Sequence, residues 1–447
     1  MDKKRKCFKK GDTILIDKPF VHALRSTFKN EKCDNCYSEA SLSRCSGCQY
    51  VLYCSRACQK VSWREHKQEC ARMKKIYSKV LPDAARIMSK ILIKLKNGGI
   101  SEKSYYTSNR YRTFKDLMSH YPSLKEDSRR LEHFSTLYEV LKEYMGETNL
   151  PNAIELLGIY GRMCINAFNI LDDNLNTIGS GIYLAASVLN HSCVPNATAT
   201  FDGVELRIGA IMDIDHTDPE LYVFISYLEL MQTTKERQSE LQKNYYFLCE
   251  CKRCTINYEQ YFINSMICTN AKCQSAIPIK NQQAEVSDTV NCLKCLEKIS
   301  EDKVKMFFDV TDFTEFHLNK MKDIGYLDVC KMCLEKQNGI FHPKNINHIK
   351  ILDLAFESAI KMEQWKESLK YGILLIDGYR VYYGECHPSL GILYMKLFKI
   401  CSIVENSETA VKYLKKGMSI LKITHGEDHS LYKNEVIPFY KELIQYF

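Results

Sequence analysis

Proline and glycine are scarce in this chain, 10 and 19 of 447 residues, which argues against long disordered linkers. No apolar run reaches the length needed to span a bilayer. The N-terminus reads Met1-Asp2-Lys3-Lys4-Arg5-Lys6 with no hydrophobic segment behind it, so no signal peptide and no membrane partner are expected. Cytoplasm and nucleus are the expected compartments. Charge of one sign does not dominate either. A net charge of +8 and a pI near 8.5 are modest for this length, permitting weak contact with nucleic acid without requiring it. The basic run Lys3 to Lys6 has the composition of a nuclear localisation signal, but a terminal cluster this short reads first as a solvated charge run. With 45% hydrophobic and 26% charged residues, the chain is ordinary globular material for two or three domains.

What is abundant is cysteine, 21 residues. In a reducing compartment clustered thiols bind metal more readily than they form disulfides. The first cluster reads Cys33-x2-Cys36, Cys45-x2-Cys48, Cys54-x3-Cys58 and His66-x3-Cys70, eight ligands for two tetrahedral zinc ions. Each pair is separated by two or three intervening residues, so one tight turn or helical turn aims both side chains at one ion. Scattered buried thiols would not fall into four ordered pairs. Trp63, His66 and Cys70 stand at helical spacing and predict a short amphipathic helix over 57–71. A second group, Cys249-x-Cys251-x2-Cys254, supplies three thiols and needs a fourth ligand from elsewhere in the chain. A third, Cys268-x4-Cys273 with Cys292-x2-Cys295, has zinc-ribbon spacing. Cys330-x2-Cys333 has no second pair and reads as helix-borne core, while Cys7, Cys164, Cys386 and Cys401 read as ordinary buried small residues.

Two of these patterns resemble a known family. Tyr53-Cys54-Ser55-x2-Cys58-Gln59 followed by Trp63-x2-His66-Lys67-x2-Cys70 looks like a MYND finger. Asn190-His191-Ser192-Cys193-Val194-Pro195-Asn196, beside a three-thiol cluster, resembles the signature of SET-domain lysine methyltransferases. Together they are similar to the SMYD family of SET and MYND domain-containing protein-lysine methyltransferases, over nearly the whole chain. The resemblance implies interleaved zinc sites, Cys33, Cys36, Cys54 and Cys58 on one ion and Cys45, Cys48, His66 and Cys70 on the other. It also implies that Cys193 shares a zinc with Cys249, Cys251 and Cys254. Three zinc sites are therefore expected, with Cys268, Cys273, Cys292 and Cys295 as a fourth in an insertion that the family's better-known members lack.

The expected fold is α+β: a small-stranded SET β-core interrupted by the finger and a helical insertion, then an all-α tetratricopeptide-like C-terminal domain. Its divisions are N-terminal strands over 1–32, the finger over 33–70, a helical insertion over 71–150 and the SET core over 151–230. A post-SET zinc segment follows over 231–254, the extra four-cysteine zinc insertion over 255–300 and helices over 301–447. Residues 11–24 read as one or two strands. From Pro82 to Gly146 the pattern is helical, with Ile87, Ile91, Leu92 and Leu95 on one face and Leu131, Phe134, Leu137 and Leu141 on another. Strands are predicted over 181–188, 197–201, 205–208 and 222–227, with turns at Asp202-Gly203 and Asp218-Pro219. A 42-residue repeat matches Tyr371 to His387 with Tyr413 to His429. The family's opening strand, with its Gly-x-Gly cofactor loop, is expected ahead of Met1, so the chain reads as N-terminally shortened.

By the same resemblance the cofactor is S-adenosylmethionine and the substrates are histone or other protein lysines. Tyr227 is the expected catalytic tyrosine. Asn166, Ser187, Leu189, Asn190, His191 and Phe247 are the expected cofactor contacts, and Tyr183 and Tyr245 the lining of the lysine channel. Peptide partners are expected at the finger, and the chain is expected to be monomeric. Three features depart from the family: the Gly-x-Gly loop is not in the sequence, His216 to Leu221 replaces a Gly-Glu-Glu-Leu stretch, and Met118 and His120 stand where relatives carry polar residues. They keep a second reading open, a non-catalytic zinc-dependent interaction adaptor.

Overall fold

The computed structural model describes residues 7–76, 79–256, 260–279, 290–321, 326–404 and 407–445; Lys3 to Lys6 lie outside the described residues. The β-core consists of two small antiparallel sheets. In one, Glu205–Ala210 lies between Thr13–Asp17 and Ala197–Asp202, with Ile16 opposite Arg207 and Thr200 opposite Arg207 on the other side. In the other, Thr177–Ile182 lies between Val21–Leu24 and Ala167–Leu171. The predicted strand over 181–188 starts earlier and stops at Ile182, giving way to a 3₁₀ turn at Ala186–Val188. The strand predicted over 222–227 shrinks to Phe224–Ile225. Its first residues instead form one helical turn, Pro219–Tyr222, because Asp218 accepts a hydrogen bond from the Glu220 amide and Pro219 occupies the first helical position.

The finger contributes a hairpin, Ser43–Arg44 with Leu52–Tyr53, and the helix Arg56–Lys75, whose first turn is capped by the Ser55 hydroxyl accepting from the Cys58 amide. The insertion supplies the helices Asp83–Lys96 and Ser128–Met145, and the helix Ala153–Asn166 follows it at the start of the core segment. Ile87, Ile91, Leu92, Leu137 and Leu141 are buried as their periodicity requires. They share one continuous core with Tyr50, Val51, Tyr53 and Met73 of the finger region. Between these helices the chain is not wholly helical: a two-stranded hairpin, Ser104–Tyr105 with Tyr111–Arg112, projects toward the β-core.

Beyond residue 300 the described elements are all helical, from Glu301–Met321 to Ile437–Gln445. The 42-residue repeat is a repeated helix ending. Gly384 and Gly426 take left-handed φ values of +90° and +87°. Three residues on, His387 and His429 each accept a backbone N–H through Nδ1, from Ser389 and Leu431, at 3.2 Å. Cys330 and Cys333 are buried in this helical core, as is Cys401, whereas Cys7, Cys164 and Cys386 are only half-buried. No described helix is long and apolar enough to cross a membrane. In the helix Trp365–Tyr383, a Cβ at Gly378 would lie 2.2 Å from Cδ1 of fully buried Ile349. Alanine there gains about 1 kcal/mol of helix propensity but meets a side chain with no room to retreat. Gly378→Ala is therefore expected to cost about 1–2 kcal/mol net, read as a lower urea midpoint. An unchanged midpoint would mean that Ile349 can turn aside.

Candidate functional site

Four cysteine-rich clusters are assembled, each with its donor atoms within 4.8 Å of one another: Cys33, Cys36, Cys54 and Cys58; Cys45, Cys48, His66 and Cys70; Cys193, Cys249, Cys251 and Cys254; and Cys268, Cys273, Cys292 and Cys295. A tetrahedral zinc with bonds of about 2.3 Å to sulfur sets its sulfurs about 3.8 Å apart. The pairs Cys36–Cys54, Cys45–Cys70, Cys193–Cys249 and Cys273–Cys292 stand at 3.7, 3.9, 3.9 and 3.8 Å. The donor sets fit zinc. In the finger, His66 turns Nε2 to Cys48 at 3.5 Å, and its Nδ1 lies 3.8 Å from the buried carboxylate of Glu69. That is the usual way a ligand imidazole is oriented from behind. A Cβ on Gly47 would sit 2.7 Å from Cys70 Sγ, so the knuckle between Cys45 and Cys48 needs glycine there. At the third cluster a fully buried arginine, Arg237, brings Nη2 to 3.9 Å from Cys254 Sγ. A zinc held by four thiolates carries net negative charge, which accounts for a guanidinium buried beside it.

Beside the third cluster a cleft of about 730 Å³ opens between the β-core, the helical insertion and the C-terminal helices. Its position follows from the strand pair Asn190–His191 and Phe224–Ile225, which run parallel with Asn190 opposite Phe224 and His191 opposite Ile225. Asn196 clamps this pair with both ends of its amide. Its Nδ2 donates to the Tyr222 carbonyl at 2.7 Å, and its Oδ1 accepts from the Phe224 amide at 2.8 Å. Tyr227, two residues past the strand, is thereby fixed at the cleft, where its hydroxyl donates to the Leu189 carbonyl. Burial pushes the Tyr227 phenol well above its ordinary pKa, so it stays protonated at neutral pH.

Asn166, Ser187, Leu189, Asn190, Tyr227, Tyr245 and Phe247 all line this one cleft. His191 stands behind the wall. Its ring lies 5.2 Å from that of Tyr227 and 6.0 Å from Phe247, its Nδ1 accepts from the Tyr227 amide at 3.0 Å, and its Nε2 is 3.2 Å from Cys193 Sγ. Burial pushes its pKa down to about 4, keeping it neutral, with one nitrogen to accept and one to donate. The signature histidine thus ties the tyrosine segment to the zinc cluster. Asn166 spends its Nδ2 on the carbonyls of Met118 and Arg162, both at 2.8 Å, so it can serve the cleft only as an acceptor. Tyr183 is not at the cleft. It is fully buried, its hydroxyl donates to the Val204 carbonyl at 2.6 Å, and its ring packs against Phe168 and Phe201. Tyr183 therefore does not line the channel: it follows directly on the strand Thr177–Ile182, and its side chain is taken up by the core between Phe168 and Phe201.

Among the lining residues that the sequence did not assign to the site are Arg112, from the hairpin of the insertion, and Tyr383 and His387, from the C-terminal repeat. The rings of Tyr383 and His387 stack at 4.7 Å. The repeat marks His387 only as part of a helix ending, and nothing in the local sequence marks Arg112 or Tyr383, because it is the fold that brings them to the cleft.

Fold and site together define a zinc-bearing β-core protein with an inserted finger and a helical C-terminal array against its cleft. The MYND finger family model matches residues 33–70. Histone-lysine N-methyltransferase SMYD3 of Homo sapiens is 28% identical over 434 residues, 96% of this chain and 91% of its own length. N-lysine methyltransferase SMYD2-A of Danio rerio is 26% identical over 95% of the chain and 91% of its own length. Histone-lysine N-methyltransferase ASHR1 of Arabidopsis thaliana is 27% identical over 98% and 90%. The likeness to these SMYD proteins extends over nearly the whole chain, and to the MYND finger over residues 33–70.

Proposed function

We propose that this protein is an S-adenosylmethionine-dependent protein-lysine N-methyltransferase. The observation that carries the reading is convergence: residues separated by up to 81 positions, Asn166 to Phe247, meet at one cleft beside a zinc cluster. The cleft is of a size that holds a small cofactor, with apolar walls and a few amide groups. The cofactor supplies the methyl group: a nitrogen–carbon bond forms as the carbon–sulfur bond breaks, and sulfur keeps the electron pair. The protein's part is to bind, dehydrate and align. Phe247 and Leu189 offer apolar faces, and Asn166 and Asn190 offer polar contacts. Tyr245, its ring 5.0 Å from that of Tyr227, narrows the approach for a lysine side chain. Desolvation there favours the neutral amine, and the amine's proton leaves to solvent. Tyr227 stays protonated and acts by orientation.

A second groove, of about 940 Å³, adjoins the cleft and shares Glu229, Glu240 and Tyr383 with it. Glu236, Glu315 and Asp353 also line it, against Lys243 and Lys350. This excess of carboxylates suits a basic peptide around the target lysine.

The test is methyl transfer to basic peptides, followed by mass spectrometry, together with calorimetry of S-adenosylhomocysteine binding. Tyr227→Phe is expected to lower transfer by about 100-fold or more while leaving cofactor affinity within a few-fold. Met118 and His120 at the cleft wall, poor partners for a polar cofactor, favour the adaptor reading instead. Peptide binding by a zinc-loaded protein that binds neither cofactor nor product would establish that adaptor reading.

A further inference from the structure

Among the described residues lining the cleft, Arg112 carries the one fixed positive charge. The other ionisable side chains there are the acids Asp116, Glu229 and Glu240, several tyrosines, and His120 and His387. Burial lowers the pKa of both histidines, that of His387 to about 4, so neither is a cation at neutral pH. Arg112 ends the hairpin strand Tyr111–Arg112, and its Nη1 donates to the Ser187 carbonyl at 2.9 Å and to the Ser187 hydroxyl at 3.4 Å. Those bonds hold the guanidinium against the turn that carries Ser187, just ahead of Leu189 and Asn190. Its Nη2 forms a long ion pair with a Glu220 oxygen at 3.8 Å, beyond hydrogen-bond distance, while Glu220 uses its backbone carbonyl to accept from the Asn190 side-chain amide at 3.1 Å. The side chain is 22% exposed. Its hydrogen bonds among the described residues all leave from Nη1, so Nε and Nη2 keep donors to offer.

A guanidinium pinned by a backbone carbonyl, with spare donors in a cleft otherwise free of cations, is built for a planar anion. S-adenosylmethionine brings one such group, the carboxylate of its amino-acid end, and burying that carboxylate without a counter-ion would be costly. We propose that Arg112 is the counter-ion for the cofactor's carboxylate and so selects ligands that carry the amino-acid moiety. This inference rests on the methyltransferase reading. The residue comes from the insertion, so the helical segment would complete the cofactor site of the β-core.

Two ligands separate this role from a structural one. S-adenosylhomocysteine carries the carboxylate, and 5′-methylthioadenosine shares its nucleoside and thioether but lacks the amino-acid end. In calorimetry on zinc-loaded full-length protein, Arg112→Ala is expected to weaken S-adenosylhomocysteine about 10- to 100-fold and to change 5′-methylthioadenosine less than about 3-fold. Arg112→Lys is expected to recover part of the loss, as a point charge does without the bidentate fork. Equal losses for both ligands would show that Arg112 merely braces the Ser187 turn, and an unchanged S-adenosylhomocysteine affinity would show that the carboxylate lies elsewhere; either overturns the proposal. A wild-type protein that binds neither ligand overturns the methyltransferase reading, and this inference with it.

Discussion

Stripping zinc from this protein is expected to unfold residues 33–70 and loosen 249–254, while the helices beyond residue 300 persist. Structural zinc sites in finger peptides contribute roughly 10–16 kcal/mol each, comparable to the whole stability of an ordinary domain at about 5–15 kcal/mol. The finger has little to replace that with. Its described regular elements are two-residue strands and one helix, and Cys33, Cys45 and Cys48 are almost wholly buried at its centre. The damage should not stop at its border. Tyr50, Val51 and Tyr53 pack in one core with Ile87, Met88 and Ile91, so the inner face of the helix Asp83–Lys96 loses its support. At the third cluster, losing the metal frees Cys193 from Cys249 and Cys254 and relaxes the parallel strand pair that fixes Tyr227. The C-terminal helices are built on a separate core of Ile349, Phe356, Leu375, Leu390 and Leu421 that contains none of the clustered ligands. Hydrogen exchange with and without a strong chelator reads this residue by residue, and elemental analysis should return four zinc ions per chain before treatment. Collapse of the entire helical circular-dichroism signal on chelation would contradict this division of the molecule.

What the sequence disclosed and what it hid follow from how far each signal reaches along the chain. Finger ligands three or four positions apart are aimed by a single turn, so spacing alone exposes them. The amphipathic faces around Ile91 and Leu141 are equally local, and so is the repeat that ends on Gly384 and Gly426. Cys193 is a different case. It lies 56 residues before Cys249, and only family resemblance could join them. The strand Ala167–Leu171 went unread because it follows the helix Ala153–Asn166 without a breaker residue, and its burial does not alternate cleanly. Asp218-Pro219 was legible as a turn signal, but the same two residues also open a helix, and here the helix wins. Arg112 and Tyr383 left no trace, since an arginine in Ser108 to Thr113 or a tyrosine on an amphipathic helix has its bland role by default. Their place at the cleft depends on contacts between elements far apart in sequence, which no periodicity records.

One of those long-range contacts carries the other large expected effect. Asp34, between the ligands Cys33 and Cys36, meets Arg86 of the helix Asp83–Lys96 in a bidentate pair, at 2.7 and 2.8 Å. Both residues are about 95% buried, with exposures of 5% and 4%. Burial alone would push the Asp34 carboxyl up, but the Arg86 guanidinium overrides it and holds it well below the usual carboxylate range. The pair is the polar bolt between finger and insertion, set in an apolar core with Ile87 and Tyr53 nearby. Against a well-packed hydrophobic substitute such a pair gains little, because desolvating both charges consumes most of their attraction. Removing one partner is not balanced at all, since it strands a charge where water cannot reach. Asp34→Asn or Arg86→Met is therefore expected to cost about 3–5 kcal/mol, with the zinc content unchanged. The double variant Asp34→Leu/Arg86→Met should recover much of that loss, giving a strongly non-additive mutant cycle in urea unfolding. Additive losses would show that the two residues act independently. Asp34→Asn with less than about 1 kcal/mol lost would show that the pair is solvated, and that the finger is held to the insertion by apolar packing alone.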